Sequence, residues 1–224
     1  MNRAAAVLST AYFPPIQYLS KFIAFREVFL EEHENYCKQS YRNRCLVMGA
    51  NGPLTLSVPV KKENTPKIPI KEVRLDYDTP WNRIHWKAIQ AAYRNSPFYL
   101  YYIDAIAPYF EREHAFLFDF NTEILLTLLK LTGIEHKWKP TVKFERNPSE
   151  AMDYRNSIHP KPSHRQHDPL FGQYPYRQVF SEKIGYIGNL SMLDLLFNEG
   201  PNSYSVIAAH LPVYESDDTK KTAG

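Results

Sequence analysis

Glycine is scarce: 8 in 224 residues. No Gly-rich loop that could cradle a phosphate can be traced, and no Gly-x-Ser-x-Gly elbow occurs, so no local motif supports a covalent nucleophile. Cysteine is scarcer still. Cys37 and Cys45 are the only two, and neither sits in a motif that would activate it. A chain of this length needs no disulfide staple, so reduced thiols are expected. No apolar run reaches membrane-spanning length. The short apolar run before Pro14-Pro15 is too brief for a signal peptide, which points to the cytoplasm. Excess charge is also lacking: 27 basic against 24 acidic residues leave +3. Without a basic block, nucleic acid is not an expected partner.

What is abundant is aromatic. Sixteen Tyr outnumber thirteen Phe, and tyrosine combines an apolar face with a hydroxyl suited to polar ligands. The length fits one domain, residues 1–214, followed by a polar tail, 215–224.

Periodicity predicts an α/β fold: an N-terminal β-α-β unit with a mixed sheet, a helix-rich middle and a long Pro/His-rich loop. Ala5 to Thr10 reads as a buried strand, Tyr12-Phe13-Pro14-Pro15 as a turn, and Ile16, Leu19, Phe22 and Ile23 as a helix face. Val28 to Leu30 follows as a parallel strand. Leu54 to Val60 alternates as a strand, with Ile70 to Leu75 as its expected partner. Thr79 and Pro80 open a helix to about Asn95. Ser96 and Pro97 open another that Pro108 interrupts, and a third runs from Ala115 to Thr132. Trp138 to Glu145 is a further expected strand. Asn147 to Tyr176 has no periodicity and five prolines. It is either a mobile substrate-covering segment or an exposed insert.

Several clusters invite chemistry. The first turn leaves the carboxyl end of a strand, where open α/β sheets collect ligands. Arg42-Asn43-Arg44 offers paired guanidinium donors to a phosphate or carboxylate. In the helix from Trp81 to Arg94, Arg83, Lys87, Gln90 and Arg94 share a polar, basic face. His85 lies on the apolar face, as a core histidine or a pocket wall. Asn121 falls on a buried helix face, where an amide needs partners. His159, His164, His167 and Asp168 match no compact zinc spacing, so no metal is expected. The run Asn189 to Pro201 reads as a punctuated helix. Ser191 is its N-cap, Asp194 the partner in a capping box, Leu190 and Leu195 a staple, and Gly200-Pro201 the stop.

These elements, in this order, resemble the WbqC-like protein family. The opening keeps Tyr12, Pro14 and Tyr18 of the family's pattern, although Leu8-Ser9-Thr10 stands where His-Gln-Pro is usual. Similar in turn are Asn43-Arg44, the helix Trp81-x-x-x-His85-Trp86-Lys87, His159-Pro160-Lys161, Tyr176-x-Gln178-Val179-Phe180 and the closing run. The resemblance implies a bacterial transferase of surface-polysaccharide (O-antigen) synthesis that moves a glycyl or other acyl group onto an amino sugar. A small-molecule or nucleotide-linked amino sugar would then be the partner, and nothing names a cofactor. Such chemistry needs a base and oxyanion donors. His85 or His159 is the expected base. Tyr12, Gln17, Tyr18, Asn43, Arg44, Lys87, Lys161, Gln178, Asn189, Asn198 and Glu199 are the expected binding groups. The rivals are a nucleotide-handling enzyme of nucleotidyltransferase type, suggested by Phe13-Pro14-Pro15 but lacking its spaced histidines, and a non-catalytic nucleotide-sugar binding module.

Overall fold

The computed structural model describes residues 3–63, 65, 67–135 and 138–212; the polar tail expected at 215–224 lies outside them. The chain opens with β1 (Arg3–Ser9), α1 (Ile16–Ala24) and β2 (Phe25–Glu31). The two strands pair in parallel, with Ala6 opposite Val28 and Leu8 opposite Leu30. Ala6, Leu8, Val28 and Leu30 are buried, as a central parallel strand pair requires. Pro15 sits at the N-cap of α1 in extended geometry, and Ile16, Leu19 and Phe22 carry the helix onto the sheet.

The sheet is completed from far along the chain. β5 (Trp138–Pro140) joins β2 and β6 (Met152–Asp153) joins β1, both in parallel, giving the order β5-β2-β1-β6. The α/β class therefore stands, with parallel and antiparallel pairings held in two separate sheets. The antiparallel one is β3 (Arg44–Gly49) with β4 (Gly52–Ser57). The partner of β4 is thus not Ile70 to Leu75, where a short 3-10 turn forms and only Leu75 bridges back, to Val60. Pro69 before that turn removes a ladder donor, and the chain turns instead of extending.

The helical middle follows the expected order: α2 (Trp81–Tyr93), α3 (Tyr99–Ile106), α4 (Pro108–Glu111) and α5 (Leu117–Leu131). Pro108 divides α3 from α4, since its ring cannot continue a helix. At the start of α2 the capping position falls to Pro80, and Thr79 supplies only its carbonyl, to the Trp81 N–H at 2.7 Å. The C-terminal region adds α6 (Ser181–Ile184), α7 (Met192–Glu199) and α8 (Ser203–Ala209).

Ser191 caps α7, accepting from Leu193 N at 3.3 Å. Asp194 closes no capping box: its carboxylate accepts from Tyr176 at 2.6 Å and Gln178 at 2.9 Å instead. Gly200 ends α7 at φ 52°, where a Cβ would lie 2.4 Å from the Phe98 ring. The segment from Asn147 to Tyr176 is not a loose insert. It contributes β6 and buries Tyr154, Arg155, Ile158, His159, Asp168 and Leu170. Lys21 of α1, fully buried, pairs with Asp168 and ties the segment to the first helix.

Candidate functional site

The carboxyl ends of β1 and β2 hold a buried ionic cluster. Arg42 grips Glu34 through Nε at 2.8 Å and Nη2 at 2.5 Å, and donates to Ser9 Oγ at 2.5 Å. Arg155 reaches Glu31 at 2.8 Å and Asp153 at 2.7 Å. Buried ions are costly unless paired, and here each sign meets its opposite. The void left among Ser9, Tyr18, Arg42 and Arg155 is about 10 Å³, room for about one water. The usual ligand position of an open α/β sheet is therefore filled by the protein's own ion pairs.

An open hollow lies beyond this cluster, beside Asn43 and Arg44. Its volume is about 600 Å³, within the range of small-molecule sites. Lys38, Arg44, Lys61 and Lys62 line it against one carboxylate, Glu63. Tyr36 also lines it, and burial pushes its hydroxyl up to about 12, so it remains a neutral donor. The three residues of Arg42-Asn43-Arg44 divide their labour. Arg42 faces inward to Glu34, and its carbonyl is held by Asn121 at 2.8 Å. Asn43 donates through Nδ2 to the Val58 carbonyl at 2.9 Å. That bond fixes the amide's orientation and leaves Oδ1 buried with no partner among the described residues. Arg44 Nε is likewise buried and unpartnered. An unpartnered acceptor and an unpartnered cationic donor thus belong to consecutive residues that line a positive cleft.

The two candidate bases are placed differently. His85 is buried against Tyr12, whose hydroxyl meets Nδ1 at 3.0 Å, and shares a backbone hydrogen bond with Ser57. Burial pushes its imidazole down to about 4, so it is neutral at physiological pH. His159 is buried too, and its Nδ1 accepts from Lys161 N at 3.1 Å. That bond keeps the ring proton on Nε2, which then donates and has no lone pair for taking a proton. Burial and the stacked His164 hold His159 below its usual range.

Among the remaining candidates, one pair joins the N-terminal and C-terminal regions. Gln17 and Asn189 clasp each other: Gln17 N donates to Asn189 Oδ1 at 2.9 Å, and Asn189 Nδ2 to Gln17 Oε1 at 3.0 Å. Tyr18 donates to the Ser9 carbonyl at 2.8 Å. Ser191 Oγ donates to the carbonyl of Phe13, a non-glycine residue at φ 36°, and Met192 N to that of Pro14. The closing run is thus a brace for the strained opening turn. Gln178 bonds Asp194 and both backbone groups of Ile187; Asn198 bonds the Asp194 carbonyl; Glu199 accepts from Arg177 N. Lys87 is exposed on α2. Lys161 Nζ meets Gln39 Oε1, which brings the Pro/His-rich segment to the wall of the cleft. The structure gathers Asn43 and Arg44 with Lys38, Lys61 and Lys62, lysines that carried no motif. Among the described residues no group of three His, Cys, Asp or Glu could hold a metal, and no helix is long and apolar enough to cross a membrane.

A protein of Mycobacterium tuberculosis, the uncharacterized protein Rv1507c, is 23% identical over 219 residues, covering 88% of this chain and 94% of that protein. No solved structure matches the chain. A family model matches residues 10–160, a span that contains the opening turn, Asn43-Arg44, His85 and His159 but ends before the closing run. The chain belongs to the WbqC-like protein family.

Proposed function

We propose that the Asn43–Arg44 cleft binds a nucleotide-linked amino sugar. In this reading the chain acts in surface-polysaccharide (O-antigen) synthesis, as a transferase that places a glycyl or other acyl group on the sugar amine. The observation that carries it is the pair of unpartnered buried atoms in a cationic wall, Asn43 Oδ1 and Arg44 Nε. A buried polar group without a partner costs about 1–3 kcal/mol, so a ligand that satisfies it gains that much. Arg44 suits a phosphate oxygen, and Asn43 suits a hydroxyl or amine donor. A nucleotide-linked amino sugar offers both within one molecule. Lys38, Lys61 and Lys62 would share the diphosphate charge, and Tyr36 and Gln39 supply further polar contacts.

A second reading, a binding module without turnover, is favoured by the state of the two histidines. His85 and His159 are both neutral and buried, each with Nδ1 already engaged. The readings separate in a thermal-shift experiment followed by an acyl-transfer assay. At a hundredfold excess over Kd, a ligand adds about 2.7 kcal/mol, a rise of roughly 5–11 °C for a chain of this size. Uridine diphosphate (UDP) and UDP-glucosamine are expected to stabilise the wild type and not Arg44→Ala. Stabilisation by ATP alone would favour the nucleotide enzyme. No stabilisation by any nucleotide would reject the cleft as the site.

A further inference from the structure

The cationic cleft has a neighbour with a different charge. A second hollow of about 450 Å³ is lined by Lys61, Arg74, Tyr77, Asp78, Glu113 and His114. Lys61 belongs to both hollows, so they meet at one side chain. A backbone ladder keeps them adjacent: Lys61 N donates to the Arg74 carbonyl at 2.9 Å, and Leu75 N to that of Ala115 at 3.1 Å. The first hollow has four cations to one carboxylate, whereas the second balances Lys61 and Arg74 with Asp78 and Glu113.

His114 makes this more than a surface dip. Its side chain is 8% exposed, and Nε2 is buried with no hydrogen-bond partner among the described residues. Its ring packs against Phe120 at 4.6 Å, and its backbone N–H donates to the Tyr77 hydroxyl at 2.8 Å. Glu123 Oε2 lies 4.0 Å from Nδ1. That oxygen is paired with Arg112 at 2.6 Å and makes no hydrogen bond to the ring, but its charge favours the neutral tautomer with the proton on Nδ1 and the lone pair on Nε2. His85 and His159 differ, because their Nδ1 atoms are already engaged.

We propose that this second hollow is the amine subsite of the same ligand, with His114 Nε2 accepting a hydrogen bond from the amine and Asp78 and Glu113 balancing its charge. The proposal rests on the reading that the ligand's anionic part lies at Arg44. One molecule would then cross Lys61, phosphate on one side and amine on the other. Burial holds His114 below its usual range, which keeps the acceptor unprotonated when the amine arrives charged.

Calorimetric titration of the full chain at about pH 6.5 with UDP, UDP-glucosamine and UDP-glucose tests this. The two sugars differ by amine against hydroxyl, and hydrogen bonds to a charged group justify an expected preference of about tenfold or more for UDP-glucosamine. Asp78→Asn with Glu113→Gln, both at exposed positions, is expected to reduce that preference to within about twofold while UDP still binds. His114→Leu, which keeps an apolar group against Phe120, is expected to do the same. Equal binding of the two sugars by the wild type would overturn the proposal, as would a preference that survives in both variants. If UDP binds and Arg44→Ala abolishes it while the amine brings no preference, the amine subsite alone is wrong. If UDP does not bind the wild type, the cleft reading fails and this one with it.

Discussion

Asp194→Asn should change how stability depends on pH, in a direction the structure sets. Asp194 is wholly enclosed, and burial pushes its carboxyl up to about 6 from an ordinary 3.8. The folded chain therefore binds this proton more tightly than the unfolded chain does. The stability it contributes is complete below about pH 4 and is lost as pH rises through about 6. A displacement of about two pH units is worth about 3 kcal/mol in full, of which about 1.4 kcal/mol falls between pH 5 and 8. His85 acts in the opposite sense. Burial lowers it to about 4, so its contribution is present above its unfolded value of 6.5 and is lost as pH falls toward 4. The wild-type profile mixes the two, and the difference between wild type and variant isolates Asp194. The asparagine keeps an oxygen for Tyr176 and Gln178 but has nothing to ionise. Urea unfolding of both proteins at the two pH values measures the difference. The variant is expected to gain about 1.4 kcal/mol on wild type between pH 5 and 8. A difference constant to within about 0.5 kcal/mol would refute the reasoning.

Two further outcomes follow from local geometry. Gly200→Ala combines a backbone at φ 52° with a Cβ 2.4 Å from Phe98, and is expected to cost about 2–5 kcal/mol in urea unfolding. Adding Phe98→Leu should recover only the part due to the clash. Cys37 is exposed and Cys45 buried, with burial raising the Cys45 thiol far above its usual range. A chromogenic disulfide reagent should therefore titrate one thiol rapidly in the folded chain and two in urea; two rapid thiols would contradict the packing.

The N-terminal half of the fold was legible because its signals are local. An apolar run, two prolines and a 3.6-residue period were enough to place β1, α1 and β2. β3 has little local signal, because Cys45 to Met48 is a short apolar run beside an arginine pair. β6 is two residues inside a proline-rich stretch, and only its pairing with β1 makes it a strand. The site divides in the same way. Asn43 and Arg44 could be read as a donor–acceptor pair, but Lys38, Lys61 and Lys62 look like any solvated lysines until the chain brings them together. Amides were the hardest. Gln17, Gln178, Asn189 and Asn198 carry the same groups whether they face a ligand or a backbone carbonyl, and here they face the protein. His114 follows an acidic turn with no motif, and only packing against Phe120 reveals its unpaired nitrogen.

The sheet order has a consequence for synthesis on the ribosome. β1 and β2 emerge first, yet the strands that cover their outer edges end only at Pro140 and Asp153. At about 5–20 residues per second, the interval between Glu31 and Asp153 lasts roughly 6–24 s. Until Pro140 both edges of the nascent β-α-β unit are unpaired, and the β1 edge stays so to Asp153, a template for pairing with other chains. The opening turn also waits, because Ser191 and Met192 must be translated before Phe13 and Pro14 are braced. This strand pair is therefore a segment that a ribosome-bound chaperone would shield.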